Sequence, residues 1–215
     1  MSDGDFTVFI VDDDPAVLRA LARLLAAAGC RTRTYASPEA FLAQHDPAEP
    51  GCAVFDVAMP DVDGLALQQL LFDGGVERPI IFVTGKGDIP TSVRAMRAGA
   101  VDFLTKPVSG EALLAAIARA RQIDAHARAA RNESASIEAL LARLTPRERE
   151  VLDHVVAGRL NKQIAGDLGT VEKTIKVHRG RMMSKLGVRT VQDLVRLAER
   201  AGIRPQAVSD GAGDT

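Results

Sequence analysis

The chain has 215 residues, a hydrophobic content of 47% and a formal net charge of −1. That length fits one large domain or two small ones, and the composition is that of a globular protein. Two cysteines, Cys30 and Cys52, are too few and too far apart for a disulfide framework or a metal-ligand pair, so a reducing cytoplasm is the expected setting. No apolar run is long enough to span a bilayer, and the acidic N-terminus lacks a signal-peptide pattern.

The small net charge hides an asymmetry. Residues 1–122 hold 11 Lys/Arg against 16 Asp/Glu, a balance of −5, whereas residues 123–215 hold 16 against 12, a balance of +4. Only the back half is therefore expected to meet a polyanion.

In chain order, Phe6 to Val11 is an apolar, β-branched run that ends in Asp12-Asp13-Asp14. Pro15 to Ala28 has helical periodicity, with Asp14 as its cap, Pro15 in the first turn and Gly29 at its end. A strand over Arg31 to Tyr35, a helix opened by Ser37-Pro38 and a buried strand over Cys52 to Phe55 follow. Gly64 to Phe72 reads as helix, Pro79 to Val83 as strand, Pro90 to Ala98 as helix and Val101 to Leu104 as strand. A further helix starts at Ser109. Five strands alternating with five helices imply a parallel sheet covered on both faces, with its ligands at the carboxyl ends of the strands.

The chemistry-bearing residues fall at those ends: Asp12 and Asp13, Asp56, Thr84 and Lys106. Clustered carboxylates repel each other and call for a cation, and hard oxygen ligands suit magnesium (or manganese). An Asp carboxylate beside such an ion can act as a nucleophile toward a phosphoryl group, with a hydroxyl and an ammonium holding its oxygens. Each element alone is weak, because strand-end acids are usually caps or solvated turns. Their order at the ends of the first, third, fourth and fifth strands is what makes them specific.

The segments Phe9-Ile-Val-Asp-Asp-Asp-Pro15, Phe55-Asp-Val-Ala-Met-Pro-Asp-Val-Asp-Gly64, Val83-Thr-Gly85 and Asp102-Phe-Leu-Thr-Lys-Pro107 resemble the receiver domain of two-component response regulators. Thr84-Gly-Lys-Gly-Asp-Ile-Pro90 with Ala95-Met-Arg-Ala-Gly-Ala100 is similar to its FixJ-like subgroup. The resemblance implies a flavodoxin-like, doubly wound α/β domain over 5–122. It implies that Asp56 accepts the phosphoryl group, and that Asp13, Asp56 and the backbone carbonyl of Ala58 bind Mg2+, with Asp12 acting through water. Lys106 would pair with the phosphate, Thr84 would close onto it, and Phe103 would turn inward as it does; without the resemblance, Phe103 reads as a buried strand aromatic. Pro107 would aim Lys106 through a cis bond. Ala58 stands where many relatives carry a larger side chain, which leaves Asp56 accessible.

Gln122 to Arg143 reads as a helical linker, placed at 123–140, with Asn132-Glu133-Ser134 a candidate interruption. Thr145-Pro146-Arg147-Glu148 is a capping box that opens a helix running to Ala157. A short helix begins at Asn161, Gly169 turns, Val171 to Leu186 is a third helix and Val191 to Ala201 a fourth capped by Thr190. Within 170–190, Lys173, Lys176, Arg179, Arg181, Lys185 and Arg189 face one acid, Glu172. A basic helix after a short helix and a glycine turn has the form of a major-groove reader, against the plainer reading of a solvated helix in a small bundle.

Leu144-Thr-Pro-Arg-Glu-Arg-Glu-Val-Leu152, Asn161-Lys-Gln-Ile-Ala165, Lys173-Thr-Ile-Lys-Val-His178 and Lys185-Leu-Gly-Val188 resemble the LuxR-type helix-turn-helix, an all-α domain placed here at 141–205, with 206–215 a disordered tail. By that resemblance Lys176 and Val177 approach base edges with Arg181, while Asn161, Lys173, Thr174 and Arg179 hold phosphates. His178 reads as a packing or phosphate residue rather than a metal ligand, because no second ligand accompanies it. Val171 stands where relatives place a capping Ser or Thr; the hydroxyl sits one position earlier, at Thr170, and the helix start is open between them.

The two resemblances together imply a transcription regulator, not an enzyme beyond its own phosphoryl chemistry. They also imply a sensor histidine kinase, promoter DNA and RNA polymerase as partners, and a homodimer formed on phosphorylation through Pro90–Ala98 and the adjoining strand. Two rivals stand beside it. An aspartyl-phosphate hydrolase would need a second Asp at the position of Ala58, and a regulator with a vestigial receiver would not need the full acid, Thr84 and Lys106 set.

Overall fold

The computed structural model describes residues 6–85 and 89–203. The segment Lys86-Gly87-Asp88 and the expected tail 206–215 lie outside the described residues. The chain divides into two compact units, Met1–Ala129 and Ala130–Thr215.

In the first unit, β1 (Thr7–Val11), β2 (Arg31–Tyr35), β3 (Gly51–Asp56), β4 (Ile80–Thr84) and β5 (Asp102–Thr105) form one parallel sheet in the order β2-β1-β3-β4-β5. The helices between them are α1 (Pro15–Ala27), α2 (Pro38–Gln44), α3 (Gly64–Asp73) and α4 (Ile89–Arg97), and α5 (Gly110–Ala142) follows β5. This is the doubly wound architecture expected from the alternating pattern.

The period-two side-chain alternation of the central strands explains the two layers of helices. Val8, Ile10, Cys52, Val54, Ile81 and Val83 point to one face and pack on Leu18, Leu21 and Leu25 of α1 and Leu113 and Ile117 of α5. Phe9, Val11, Ala53, Phe55 and Phe82 point to the other and pack on Phe41 of α2, Leu67 and Leu71 of α3 and Ala95 of α4. Each fully buried large side chain contributes about 1.5–3 kcal/mol. Because β1 and β3 are covered on both faces, their polar ends project only from the strand termini.

The caps follow from local chemistry. Asp14 accepts a hydrogen bond from Ala16 N at 2.7 Å, Ser37 from Ala40 N at 3.2 Å and Asp63 from Ala66 N at 2.7 Å.

α5 is one 33-residue helix that crosses the boundary between the units. The candidate interruption at Asn132-Glu133-Ser134 does not occur. These residues are exposed, and Ser136 Oγ satisfies itself on the Asn132 carbonyl at 2.7 Å without displacing a turn.

The second unit continues with α6 (Pro146–Val156), α7 (Asn161–Asp167), α8 (Glu172–Leu186) and α9 (Val191–Arg200). Their shared core contains Val151, Leu152, Ile164, Ile175, Met182, Leu186 and Leu194, with Leu140 and Leu141 of α5 packed against it. The capping box is formed in both directions, Glu148 N donating to Thr145 Oγ1 and Thr145 N to Glu148 Oε2. α8 starts at Glu172, one residue after the Val171 read from the periodicity, and of the two open cap positions the structure uses Val171 and not Thr170. Val171 is its cap residue, extended at φ −102° and ψ 150°, and makes no side-chain cap bond.

Candidate functional site

β1 and β3 lie side by side in register, Val11 opposite Phe55, so Asp12 and Asp56 emerge at the same edge of the sheet. Asp12, Asp13 and Asp56 each present a carboxylate oxygen within 4.8 Å of the others. Asp12 and Asp56 are buried and Asp13 is exposed. β5 delivers Lys106 to the same edge: its backbone N–H donates to the Thr84 carbonyl at 2.7 Å, and the Lys106–Pro107 peptide is cis. Its ammonium donates to Asp12 Oδ2 at 2.7 Å and lies 3.2 Å from Asp56 Oδ1.

That second contact is an ion pair without hydrogen-bond alignment, and Asp56 Oδ1 is buried with no hydrogen-bond partner. Burial raises the Asp56 carboxyl above its ordinary range; Lys106 opposes this, and the charges of Asp12 and Asp13 add to it. Burial pulls the Lys106 ammonium down, but its hydrogen bond to Asp12 and the charges of Asp12 and Asp56 outweigh it and raise it on balance. The donor set is all oxygen, and one buried carboxylate atom, Asp56 Oδ1, has no aligned hydrogen bond, which fits a hard divalent cation such as Mg2+.

The loop after β3 is drawn over this edge. Gly64 N donates to the Val57 carbonyl at 3.0 Å, and a Cβ on Gly64 would sit 2.2 Å from the Asp56 carbonyl oxygen. Ala58 in this loop is exposed. Thr84 ends β4 and is fully buried. Phe103 on β5 is half-buried, its ring 6.3 Å from that of Phe82.

In the second unit, α8 divides into two faces. Ile175, Met182 and Leu186 are buried, while Lys173, Lys176, Val177 and Arg181 are exposed and Thr174 is half-buried. Two basic residues of this helix are engaged within the unit. Arg179 donates to Asn161 Oδ1 at 3.0 Å, tying α8 to the start of α7, and Lys185 donates to Glu148 Oε2 at 2.5 Å. The sequence pattern groups Lys185 with the basic surface and carries no trace of its contact with Glu148 or of that between Asn161 and Arg179. His178 is half-buried.

Residues 8–118 match the response regulator receiver domain, and residues 142–198 match the bacterial regulatory proteins of the luxR family. The chain belongs to the response regulators that carry a luxR-type domain. It is 43% identical over 200 residues to the response regulator protein TmoT of Ectopseudomonas mendocina, covering 93% of this chain and 91% of that one. It is 41% identical over 201 residues to the transcriptional regulatory protein FixJ of Rhizobium meliloti, covering 94% and 98%. Among solved structures it is similar to the response regulator StyR, with a TM-score of 0.84 and 45% identity over 92% of this chain and all of that one. As a two-domain response regulator of the transcriptional class, the chain has the receiver and helix-turn-helix organisation expected from its motifs, and neither rival is favoured.

Proposed function

We propose that Asp56 is the phosphoryl acceptor, and that its phosphorylation by a sensor histidine kinase controls promoter binding by α8. The observation that carries this reading is the buried Asp56 Oδ1, ion-paired with Lys106 but without an aligned hydrogen bond, at the edge it shares with Asp12 and Asp13. A carboxylate oxygen of Asp56 forms the new P–O bond as the P–N bond to the kinase histidine breaks and the imidazole leaves with the electron pair. Asp12, Asp13, Asp56 and the Ala58 carbonyl would hold Mg2+, which when bound neutralises charge on the phosphoryl oxygens. Lys106 holds one phosphate oxygen and Thr84 moves onto another. Phe103, half-buried beside Phe82, follows inward.

Activation brings two copies together. α4 and β5 suit this role, because Ile89, Val93 and Met96 form an exposed apolar stripe along α4. The pair then binds two half-sites, Lys176, Val177 and Arg181 facing bases and Asn161, Lys173, Thr174 and Arg179 facing phosphates, with RNA polymerase as the downstream partner. The setting is the cytoplasm; among the described residues no helix is long and apolar enough to cross a membrane.

The test is Asp56→Asn. Labelling by acetyl phosphate with Mg2+ should disappear, and so should beryllofluoride-dependent dimerisation and the gain in promoter affinity. Unchanged labelling and unchanged promoter activation would refute the assignment.

A further inference from the structure

Two helical glycines of the second unit, Gly166 next to the last residue of α7 and Gly180 in the interior of α8, are required by no neighbour and no positive φ, and only Gly180 lies well inside its helix. Gly180 lies in the middle of the 15-residue helix α8, and a Cβ built on it meets no heavy atom within 4 Å. It is exposed and has none of the positive φ that justifies Gly187 at the end of the same helix. An interior helical glycine weakens folding about fivefold relative to alanine. Alanine would fit here and strengthen the helix.

Its position on the helix is informative. At 3.6 residues per turn, Lys173, Lys176 and Val177 lie seven, four and three residues before Gly180, and Ser184 lies four after it. All are exposed, on the side opposite the buried Ile175, Met182 and Leu186. Arg179, one residue away, is turned to Asn161. The outward ridge of α8 therefore has a gap at Gly180 between Val177 and Ser184, with Lys173 and Lys176 on its N-terminal side and the exposed Arg181 beside it.

We propose that Gly180 marks the closest approach of α8 to DNA, where the missing side chain lets the helix backbone seat deeply in the major groove. This rests on the DNA-binding reading given above. A glycine is the residue that permits close approach of backbone to a ligand, and the groove is only about 12 Å wide. Seating depth in turn decides whether Val177 and Lys176 reach base edges or stop at the phosphates. Gly180 is thus a positioning residue, acting through its neighbours.

The experiment uses the full chain activated with beryllofluoride, a duplex selected by the wild-type chain from a random pool, and the variants Gly180→Ala and Gly180→Leu. Amide exchange in α8 should slow about fivefold in both. DNA affinity should fall at least tenfold in Gly180→Leu and by less in Gly180→Ala, so that helix stability and DNA affinity move in opposite directions. Wild-type affinity in both variants would overturn the proposal, because the glycine would then be incidental. Faster α8 exchange would overturn it too, by giving the glycine a role in the fold. If the wild-type chain selects no duplex at all, the DNA-binding reading itself fails and this inference goes with it.

Discussion

Removing the charge of Asp56 should stabilise the metal-free protein. Asp12, Asp13 and Asp56 present oxygens within 4.8 Å of one another. At an effective dielectric near 20, two negative charges at that spacing repel by about 3.5 kcal/mol. Asp56 meets two such neighbours, and the Lys106 ammonium at 3.2 Å returns about 5 kcal/mol. Asp13 is exposed, so its share is reduced by solvent. What remains is a net penalty on the order of 1–2 kcal/mol, to which the burial of Asp56 adds. Asp56→Asn should therefore raise stability without divalent ions by about 2 kcal/mol, roughly 6–12 °C in the Tm of the first unit. The assay is thermal unfolding of the full chain by circular dichroism, in chelator and in saturating Mg2+. Wild type should gain from Mg2+ by mass action and the variant should gain less. An Asp56→Asn protein that melts at or below the wild-type temperature in chelator, or responds to Mg2+ identically, refutes the reasoning.

Three further outcomes can be checked with the same preparations. Gly64→Ala sets a Cβ 2.2 Å from the Asp56 carbonyl oxygen, backbone against backbone, and should cost more than about 2 kcal/mol by denaturant titration while impairing acetyl-phosphate labelling. His45 stacks on Phe41 with both ring nitrogens unpartnered, and first its burial, then the charge of Arg78, hold its pKa below the ordinary value. The unfolded ring takes up a proton near pH 6.5 that the folded ring declines, so stability falls as pH drops through about 6.5 toward the folded pKa; His45→Phe should flatten that slope, and an unchanged slope contradicts the assignment. A fragment starting at Ala130 should unfold cooperatively, whereas one starting at Ala142 loses Ile137, Leu140 and Leu141 from its packing and should be less stable by about 3–5 kcal/mol in urea.

What the sequence disclosed and what it hid divide by range of interaction. Asp14, Ser37, Thr145 and Thr190 are legible as caps because each bonds a backbone N–H within three residues. The central strands β1, β3 and β4 are legible because burial on two faces demands apolar runs, although Pro79 stays outside β4 for want of a ladder N–H. Asp12 and Lys106, 94 residues apart, meet only through the strand order. Motif resemblance named both residues, but not the hydrogen bond that joins them. The contacts of Arg179 with Asn161 and of Lys185 with Glu148 cross between helices and leave no periodic trace. For the same reason nothing local marks Leu140, at the end of the expected linker, as packing with Leu141 against the helical core.

Two buried acids show how differently the fold can answer a carboxylate charge. Both Glu148 and Asp56 are almost fully removed from solvent and both face a lysine. Glu148 receives the Lys185 ammonium and the Thr145 N–H, and these bonds hold its carboxyl below the usual range. Its charge is answered within the chain, and it serves the fold. At Asp56 the lysine is shared with Asp12, one oxygen has no hydrogen-bond partner, and burial drives the carboxyl upward. Such a charge is tolerated only if the rest of the domain is stable enough to hold it, and the two-faced core around β1 and β3 is that support. An acid whose charge the fold leaves unbalanced has free energy to gain from a cation and a phosphoryl group, and this is the physical basis for proposing Asp56 as the phosphoryl acceptor.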